Sequence, residues 1–182
     1  PVACAEGLRP TSERVRETVF DWLTHLFGTL EGCDALDMFA GSGAMGLEAA
    51  SRGADYVDWL DIHRQGIAGI RQALTRLGAD DHKQARVADA FRFLQDAPRS
   101  YDVIFIDPPF SLDMQVKAAR AALGALKEEG LLYVESPTEL LSDEALESLG
   151  VVRVRSGSAG AVRFELLAKA GSGMAGLVRL SK

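Results

Sequence analysis

The alternation of strand-like and helix-like segments between residues 35 and 136 is the feature that most limits how this chain can fold. Short apolar runs alternate with stretches whose apolar residues recur at helical spacing, and short glycine-rich or polar segments join them. This order predicts an α/β fold with a doubly wound, mostly parallel sheet that helices cover on both faces. Strands are predicted at ALDMFA, YVDWLD, ARVA, YDVIFID and GLLYVES, and helices at about 44–52, 64–77 and 113–128, with a helical turn at AFRFLQ.

The two ends of the chain follow other patterns. From Thr11, the segment TSERVRETVFDWLTHLF places apolar residues on one helical face, with Thr11 or Ser12 expected as the N-cap. Segments 151–155 and 161–168 are separated by a Gly/Ser turn too short for a helix, so a C-terminal antiparallel hairpin is expected beside the parallel sheet. The glycine-rich tail, residues 170–182, is expected to be flexible or weakly docked.

Composition limits the class of protein. The chain has 182 residues and a net charge of -6, so we expect one globular domain over 1–182 and no broad basic face for nucleic acid. No apolar run reaches the roughly 20 residues of a membrane-spanning helix. The histidines and cysteines lack the spacing of a metal site, and Cys4 and Cys33 are interpreted as structural. We therefore expect a cytoplasmic protein that needs neither a metal nor a membrane.

A glycine-rich turn follows the first predicted strand. GSGAMG, residues 41–46, satisfies the G-x-G-x-x-G pattern, which is typical of loops that approach a nucleotide closely. A dinucleotide or S-adenosylmethionine could use this turn, and Asp61, which ends the second strand, could accept hydrogen bonds from the ribose of either. Asp37 distinguishes between the two ligands, because a carboxylate repels the pyrophosphate of a dinucleotide but attracts the ammonium and sulfonium groups of S-adenosylmethionine. Gly46 is assigned to close helix packing, not ligand contact.

Asp89 follows the third predicted strand and has two interpretations. It could accept a hydrogen bond from the exocyclic amine of adenine, or it could simply cap the next helix. Its occurrence with the other strand-end carboxylates favours a cofactor site along one edge of the sheet. Both interpretations remain open at the level of the sequence.

The tetrapeptide Asp107-Pro108-Pro109-Phe110 follows the buried strand VIFI and carries the chemistry. Two prolines fix φ and donate no hydrogen bonds, so the chain leaves the sheet as a stiff, extended segment. The Asp107 carboxylate and the Pro108 carbonyl could each accept an N–H of a planar amine and stabilise the charge that develops as its nitrogen attacks a methyl group. Phe110 could stack on the base. The alternative is that Phe110 only packs and the prolines only form a loop.

Arginines at the start of the first helix are candidates for contact with RNA. Arg9, Arg14 and Arg16 lie there, although Glu13 and Glu17 are interleaved and make a solvated helix face an equal alternative. Arginines on the terminal hairpin are interpreted as exposed strand positions. They are Arg153, Arg155 and Arg163.

The motifs GLRPTSERVRETVFDWL, LDMFAGSGAMGLEAASRGA, VIFIDPPF and LLYVES together resemble the bacterial 16S rRNA guanine-N2 methyltransferases of the RsmD type. The resemblance extends from Gly7 to about Ala168. It implies a seven-stranded class I methyltransferase sheet, S-adenosylmethionine as cofactor with S-adenosylhomocysteine as product, and a guanine of 16S rRNA in an assembling small subunit as substrate. Two departures are His63, where the family often has an acidic residue, and the missing glycine- and arginine-rich strand ahead of Arg9.

The expected site residues follow from these motifs and from the resemblance. Catalysis is assigned to the 107–110 tetrapeptide. Residues 1–30 are expected to contribute to RNA contact, through Arg9, Thr11, Arg14 and Arg16. The expected cofactor-binding residues are Asp37, Phe39, Ala40, Gly41, Ser42, Gly43, Asp61, Ile62, Asp89 and Ala90.

Other functions remain open at this stage. The same planar-amine chemistry serves adenine N6 in DNA or RNA and the amide of a protein glutamine. A non-catalytic binding module and a nicotinamide oxidoreductase are more distant alternatives, and a monomer is expected.

Overall fold

A computed structural model describes residues 12–97, 99–109 and 112–178. Its centre is a seven-stranded sheet in the order β3-β2-β1-β4-β5-β7-β6. The first five strands are parallel, whereas β7 runs antiparallel to both β5 and β6. The predicted fold class is confirmed. The strands are β1 (Asp34–Asp37), β2 (Tyr56–Asp61), β3 (Lys83–Val87), β4 (Tyr101–Ile106), β5 (Leu126–Ser136), β6 (Val151–Ala159) and β7 (Val162–Lys169).

Helices cover both faces of the sheet and create two apolar cores. Alternate residues of a strand point to opposite faces, and in β1 Ala35 joins one core while Leu36 joins the other. The first core includes Val19 and Ile67, and the second includes Ala118 and Leu146. The helices are α1 (Glu13–Phe27), α2 (Ala44–Ser51), α3 (Arg64–Arg76), α4 (Ala90–Gln95), α5 (Leu112–Leu123) and α6 (Asp143–Leu149).

The strand order brings the carboxyl ends of β1 and β4 side by side. The chain passes from β1 outward to β2 and β3, then returns to place β4 on the other side of β1. In parallel α/β sheets, ligands bind in the crevice that opens where the strand order reverses. The loops after β1 and β4 therefore flank the expected position of a ligand.

Several boundaries differ from the sequence-based prediction. The fifth helix ends at Leu123, not near 128, and β5 begins at Leu126, four residues before the predicted GLLYVES. Lys127 explains part of this difference, because its ammonium lies 2.9 Å from the Asp102 carboxylate and fastens the early part of β5 to β4. The sequence analysis also missed α6, whose Ser142 N-cap accepts a hydrogen bond from the N–H of Ala145.

The described part of the C-terminal tail, residues 170–178, packs against the domain. The predicted flexible tail contains a 3-10 helix, Met174–Leu177, in which Met174 is buried. The Glu129 carboxylate accepts hydrogen bonds from the N–H groups of Gly173 and Met174, at 2.9 and 2.8 Å. These contacts hold the first part of the tail against the body of the domain.

None of the three hairpin arginines is fully exposed, contrary to the prediction: Arg153 and Arg163 are half-buried and Arg155 is buried. Arg153 forms an ion pair of 3.0 Å with the buried Glu165, and Arg155 is itself buried and donates to the carbonyl of Leu177. Each satisfies buried polar groups between elements, which the sequence pattern of a strand does not reveal. Within the described ranges, no helix has the length and apolarity needed to cross a membrane.

Close packing of Gly46 against Trp59 generates the first testable prediction. A Cβ atom at Gly46 would lie 2.2 Å from Nε1 of Trp59, a fully buried side chain that donates to the Gly43 carbonyl at 3.1 Å. Gly46→Ala is expected to lower the free energy of unfolding by roughly 1–3 kcal/mol, since Trp59 must move. Urea denaturation measures the change.

Gly69→Ala is the matched control for that substitution. Gly69 lies on an exposed position of α3, with nothing within 4 Å of an added Cβ. Alanine there is expected to raise stability by up to about 1 kcal/mol, through helix propensity alone. Equal effects of the two substitutions would show that the contact with Trp59 is not what requires glycine at 46.

Candidate active site

The glycine turn after β1 contains two glycines with different roles. Gly43 has φ 78°, and a Cβ there would lie 2.7 Å from the Ile70 side chain. Both the backbone conformation and the packing therefore require glycine at position 43. Gly41 has φ 55°, but nothing lies within 4 Å of the position of its missing Cβ. The open side of the turn is thus at Gly41, where a ligand can approach the backbone.

Asp37 is a buried carboxyl at the end of β1. Its Oδ2 accepts a hydrogen bond of 3.1 Å from the N–H of Gly46, in the first turns of α2. Burial raises the pKa of Asp37 from 3.8 to about 7, and the nearby Asp61 carboxylate adds to the increase despite the opposing hydrogen bond from Gly46. A cation placed beside this carboxyl would favour its charged form.

The Asp61 carboxylate shapes the turn from the neighbouring strand. Its Oδ2 accepts from the N–H of Gly41, and its Oδ1 accepts from the N–H of His63, both at 2.8 Å. Each carboxylate oxygen can accept a second hydrogen bond, so Asp61 can still bind the two hydroxyls of a ribose. Ile62 follows it with 64% of its surface exposed, which leaves an apolar side chain available to a flat ring.

Asp89 is the N-cap of α4. Its Oδ1 accepts a hydrogen bond of 3.0 Å from the N–H of Arg92, so the helix-cap interpretation of this residue is correct. A contact with adenine through the same carboxylate stays a prediction. Ala90 is buried within the second core, so it could offer a ligand only its backbone.

A recess of about 300 Å³, including space open to solvent, lies between the ends of β1, β4 and β5. It brings four of the predicted cofactor residues together with Asp107 of the tetrapeptide. The other predicted cofactor residues do not line it; they are Gly41, Gly43, Asp61, Ile62, Asp89 and Ala90. Pro108 is buried, Pro109 is exposed, and Phe110 lies outside the described residues. The lining consists of Asp37, Phe39, Ala40, Ser42, Ala44, Met45, Phe105, Asp107 and Tyr133.

Asp107 lies in a strongly acidic environment. Its side chain is exposed to solvent on one side. The pKa of Asp107 is raised well above its ordinary value, because the surrounding protein atoms remove part of its hydration and because the Glu135 carboxyl and Asp37 lie nearby. Tyr133 donates from its hydroxyl to Oε2 of Glu135 at 2.9 Å.

Sequence reasoning assigned no site role to Tyr133 or Glu135. Both lie in LLYVES, which was interpreted only as a strand and as part of the family resemblance. Their position could have been inferred from the topology, because β5 is the parallel neighbour of β4 and its carboxyl end must reach the same edge. The pairing of Phe105 with Tyr133 in register places them there.

The two predicted RNA-contact residues that the structure describes, Arg14 and Arg16, do not line the recess. Arg14 is exposed on α1, and Arg16 is partly buried with its guanidinium 3.9 Å from Glu13. Arg9 and Thr11 lie outside the described residues, as does Cys4. The basic surface at α1 therefore remains a prediction that rests on Arg14 and Arg16.

The raised pKa of Asp37 generates a prediction about the ligand-free protein. The folded state keeps a proton on Asp37 that the unfolded chain has lost above pH 4, so the contribution of Asp37 to stability is highest at low pH and decreases as pH rises toward 7. Asp37→Asn removes this titration while keeping an acceptor for Gly46. The difference in unfolding free energy between wild type and variant should therefore change by about 4 kcal/mol between pH 4 and 7.5.

Urea denaturation across this pH range measures that difference. Asp81→Asn, at an exposed surface position, is the matched control. Parallel pH profiles for wild type and Asp37→Asn would contradict the burial of an ionisable Asp37.

Comparison with known proteins identifies the family of this chain. The profile of the family described as Conserved hypothetical protein 95 matches residues 1–167. Ribosomal RNA small subunit methyltransferase D of Escherichia coli K12 is 38% identical over 143 residues, which cover 76% of this chain and 69% of that protein.

Solved structures of methyltransferases share the fold of this chain. The yhhF protein of Escherichia coli, described as a candidate methyltransferase, superposes with a TM-score of 0.78 at 32% identity, over 92% of this chain and 91% of that one. Magnesium protoporphyrin IX methyltransferase of Synechocystis, solved with bound S-adenosylmethionine, shares the fold at 17% identity and a TM-score of 0.70, over 86% and 79% of the two chains. The chain therefore belongs to the family of small-subunit ribosomal RNA methyltransferases D, with the class I methyltransferase fold.

Proposed function

We propose that this chain transfers a methyl group from S-adenosylmethionine to the exocyclic N2 amine of a guanine in 16S rRNA. The observation that carries the proposal is the recess that joins Asp37 to Asp107, next to the glycine turn. Membership of a family of ribosomal RNA methyltransferases supports methyl transfer to rRNA. The choice of guanine N2 rests on the family resemblance of the sequence motifs.

The residues present fit S-adenosylmethionine. When bound, this cofactor supplies an electrophilic methyl group on a positively charged sulfur. The buried Asp37 offers a counter-charge to its cationic end, Asp61 offers acceptors to its ribose, and Gly41 leaves open space beside the backbone. The remaining proposed contacts are Phe39, Ala40, Ser42, Gly43, Ile62, Asp89 and Ala90.

The Asp107-Pro108 unit is proposed to hold the acceptor amine. A guanine amine is a weak nucleophile because its lone pair is delocalised into the ring. The Asp107 carboxylate and the Pro108 carbonyl would accept its N–H groups, fix the nitrogen in place and stabilise the positive charge that develops on it. Pro109 keeps this segment rigid, and Phe110 is proposed to stack on the base once it is turned out of its helix or loop.

The RNA is proposed to meet the chain at α1, within an assembling small subunit. Arg14 is exposed there and can contact a phosphate, with Arg9, Thr11 and Arg16 as further proposed contacts. A net charge of -6 leaves little general attraction for RNA, which favours a substrate already held by ribosomal proteins. Adenine N6 and a protein glutamine amide remain the alternative acceptors.

Substitution of Asp107 tests the catalytic assignment. Asp107→Ala is expected to lower the rate of methyl transfer by at least ~100-fold, because the amine loses one of its two proposed acceptors and a carboxylate able to take its proton. Calorimetric binding of S-adenosylhomocysteine should persist, and NADH should give no binding heat. Asp81→Ala, on the surface, is the control. Loss of S-adenosylhomocysteine binding together with activity would mean that Asp107 acts in cofactor binding, and NADH binding would contradict the cofactor.

Mass mapping of modified nucleotides tests the substrate. Small-subunit rRNA from cells that lack the gene should be missing one guanine N2 methyl group. A plasmid carrying the wild type should restore it, and one carrying Asp107→Ala should not. An unchanged set of guanine modifications, with a methyl group lost from adenine or from a protein glutamine, would overturn the guanine assignment.

A further inference from the structure

Asp107 and Glu135 form a carboxyl pair at the edge of the recess. In the parallel ladder of β4 and β5, Phe105 pairs with Tyr133 and Ile106 pairs with Val134, so Asp107 and Glu135 directly follow the last pair of this register. The Glu135 carboxyl lies close enough to Asp107 to raise the pKa of that carboxyl. The backbone of Glu135 is held as well, since its carbonyl accepts from Nε2 of the buried Gln115 at 3.0 Å.

Two neighbouring carboxylates repel each other unless one of them holds a proton. Because ionised carboxylates only accept hydrogen bonds, Asp107 and Glu135 can bond to each other only when one of them is protonated. The hydroxyl of Tyr133 donates to Oε2 of Glu135, so this oxygen already accepts one hydrogen bond. The other charged group that acts on Asp107 is the Asp37 carboxyl, across the recess. All of the charged groups that act on Asp107 in the described part of the chain are therefore acidic, which favours retention of a shared proton.

We propose that Asp107 and Glu135 hold one proton between them in the ligand-free protein, release it to water when a sulfonium cation fills the recess, and regain one from the amine during methyl transfer. This proposal rests on the proposed function. Glu135 acts through Asp107 and is a positioning residue, because it shares the proton without touching the substrate. Asp107 has the exposed edge through which the pair exchanges protons with water.

The cycle balances in atoms and charge. The amine nitrogen uses its lone pair to form the bond to the methyl carbon, the carbon–sulfur bond breaks, and the sulfur keeps that electron pair. One N–H proton of the amine passes to Asp107. The sulfur thus loses its positive charge at the same step at which the carboxyl pair changes from two negative charges to one, so the net charge within the recess stays constant.

Proton release on binding tests the proposal without a catalytic assay. Calorimetry at pH 7 in phosphate and in Tris, two buffers with different ionisation enthalpies, counts the protons released by each ligand. S-adenosylmethionine should release about one proton more than S-adenosylhomocysteine, because only the former carries the sulfonium charge. Ionisation of Asp37 beside the ammonium group is common to both ligands and cancels in the difference.

Variants decide whether the pair is the source of this proton. Glu135→Gln and Asp107→Asn should each reduce the difference between the two ligands from about one proton to nearly zero. Glu139→Gln, at an exposed position in the loop that follows β5, should leave it unchanged. The two pair variants act independently, so a folding defect in one leaves the other informative.

The outcomes separate this proposal from the proposed function. Equal proton release for the two ligands in the wild type would overturn the shared proton while leaving the methyltransferase assignment in place. A full proton difference that persists in both pair variants would also overturn it. Failure of both ligands to bind the wild type would instead overturn the proposed function.

Discussion

The burial of Asp37 at the end of a central strand is the constraint on which the rest of the site depends. A buried carboxylate is costly without a compensating charge, and Asp37 has near it the N–H of Gly46 and the acidic groups Asp61 and Asp107. One hydrogen bond does not offset this cost, as the raised pKa shows. Sites of this kind are typical of function, because the missing charge is one that a ligand can supply.

The same constraint explains why the glycine pattern does not indicate a dinucleotide. Gly46 packs without a side chain against Trp59 and donates its N–H to Asp37, so the third glycine serves the carboxyl and the helix packing together. Gly43 is needed for its positive φ and its contact with Ile70, whereas Gly41 alone borders open space. A phosphate-binding turn offers free N–H groups to a pyrophosphate. In this chain, the pyrophosphate would instead meet the carboxylate of Asp37.

The sequence predicted the parts of the structure that local patterns determine. The alternation of strand-like and helix-like segments predicted the parallel sheet, and the short Gly/Ser turn predicted the terminal hairpin. The positions of Asp37, Asp61 and Asp107 at strand ends predicted a site at one edge of the sheet. The partnership of Asp107 with Glu135 was missed because it depends on the register of β4 against β5, a tertiary property that no local pattern encodes. The burial of Arg155 was missed for a similar reason, since its partner Leu177 lies 22 residues away.

The acidic edge of the sheet has a consequence for how RNA can approach it. Asp37, Asp61, Asp107 and Glu135 make this edge repulsive to phosphates, while favouring a cationic cofactor. Under the proposed function, the RNA backbone must therefore stay away from the recess and only an uncharged base can enter it, as happens when a base is turned out of its stack. Contacts that hold the backbone must then lie outside the recess. The exposed Arg14 on α1, which does not line it, meets this requirement.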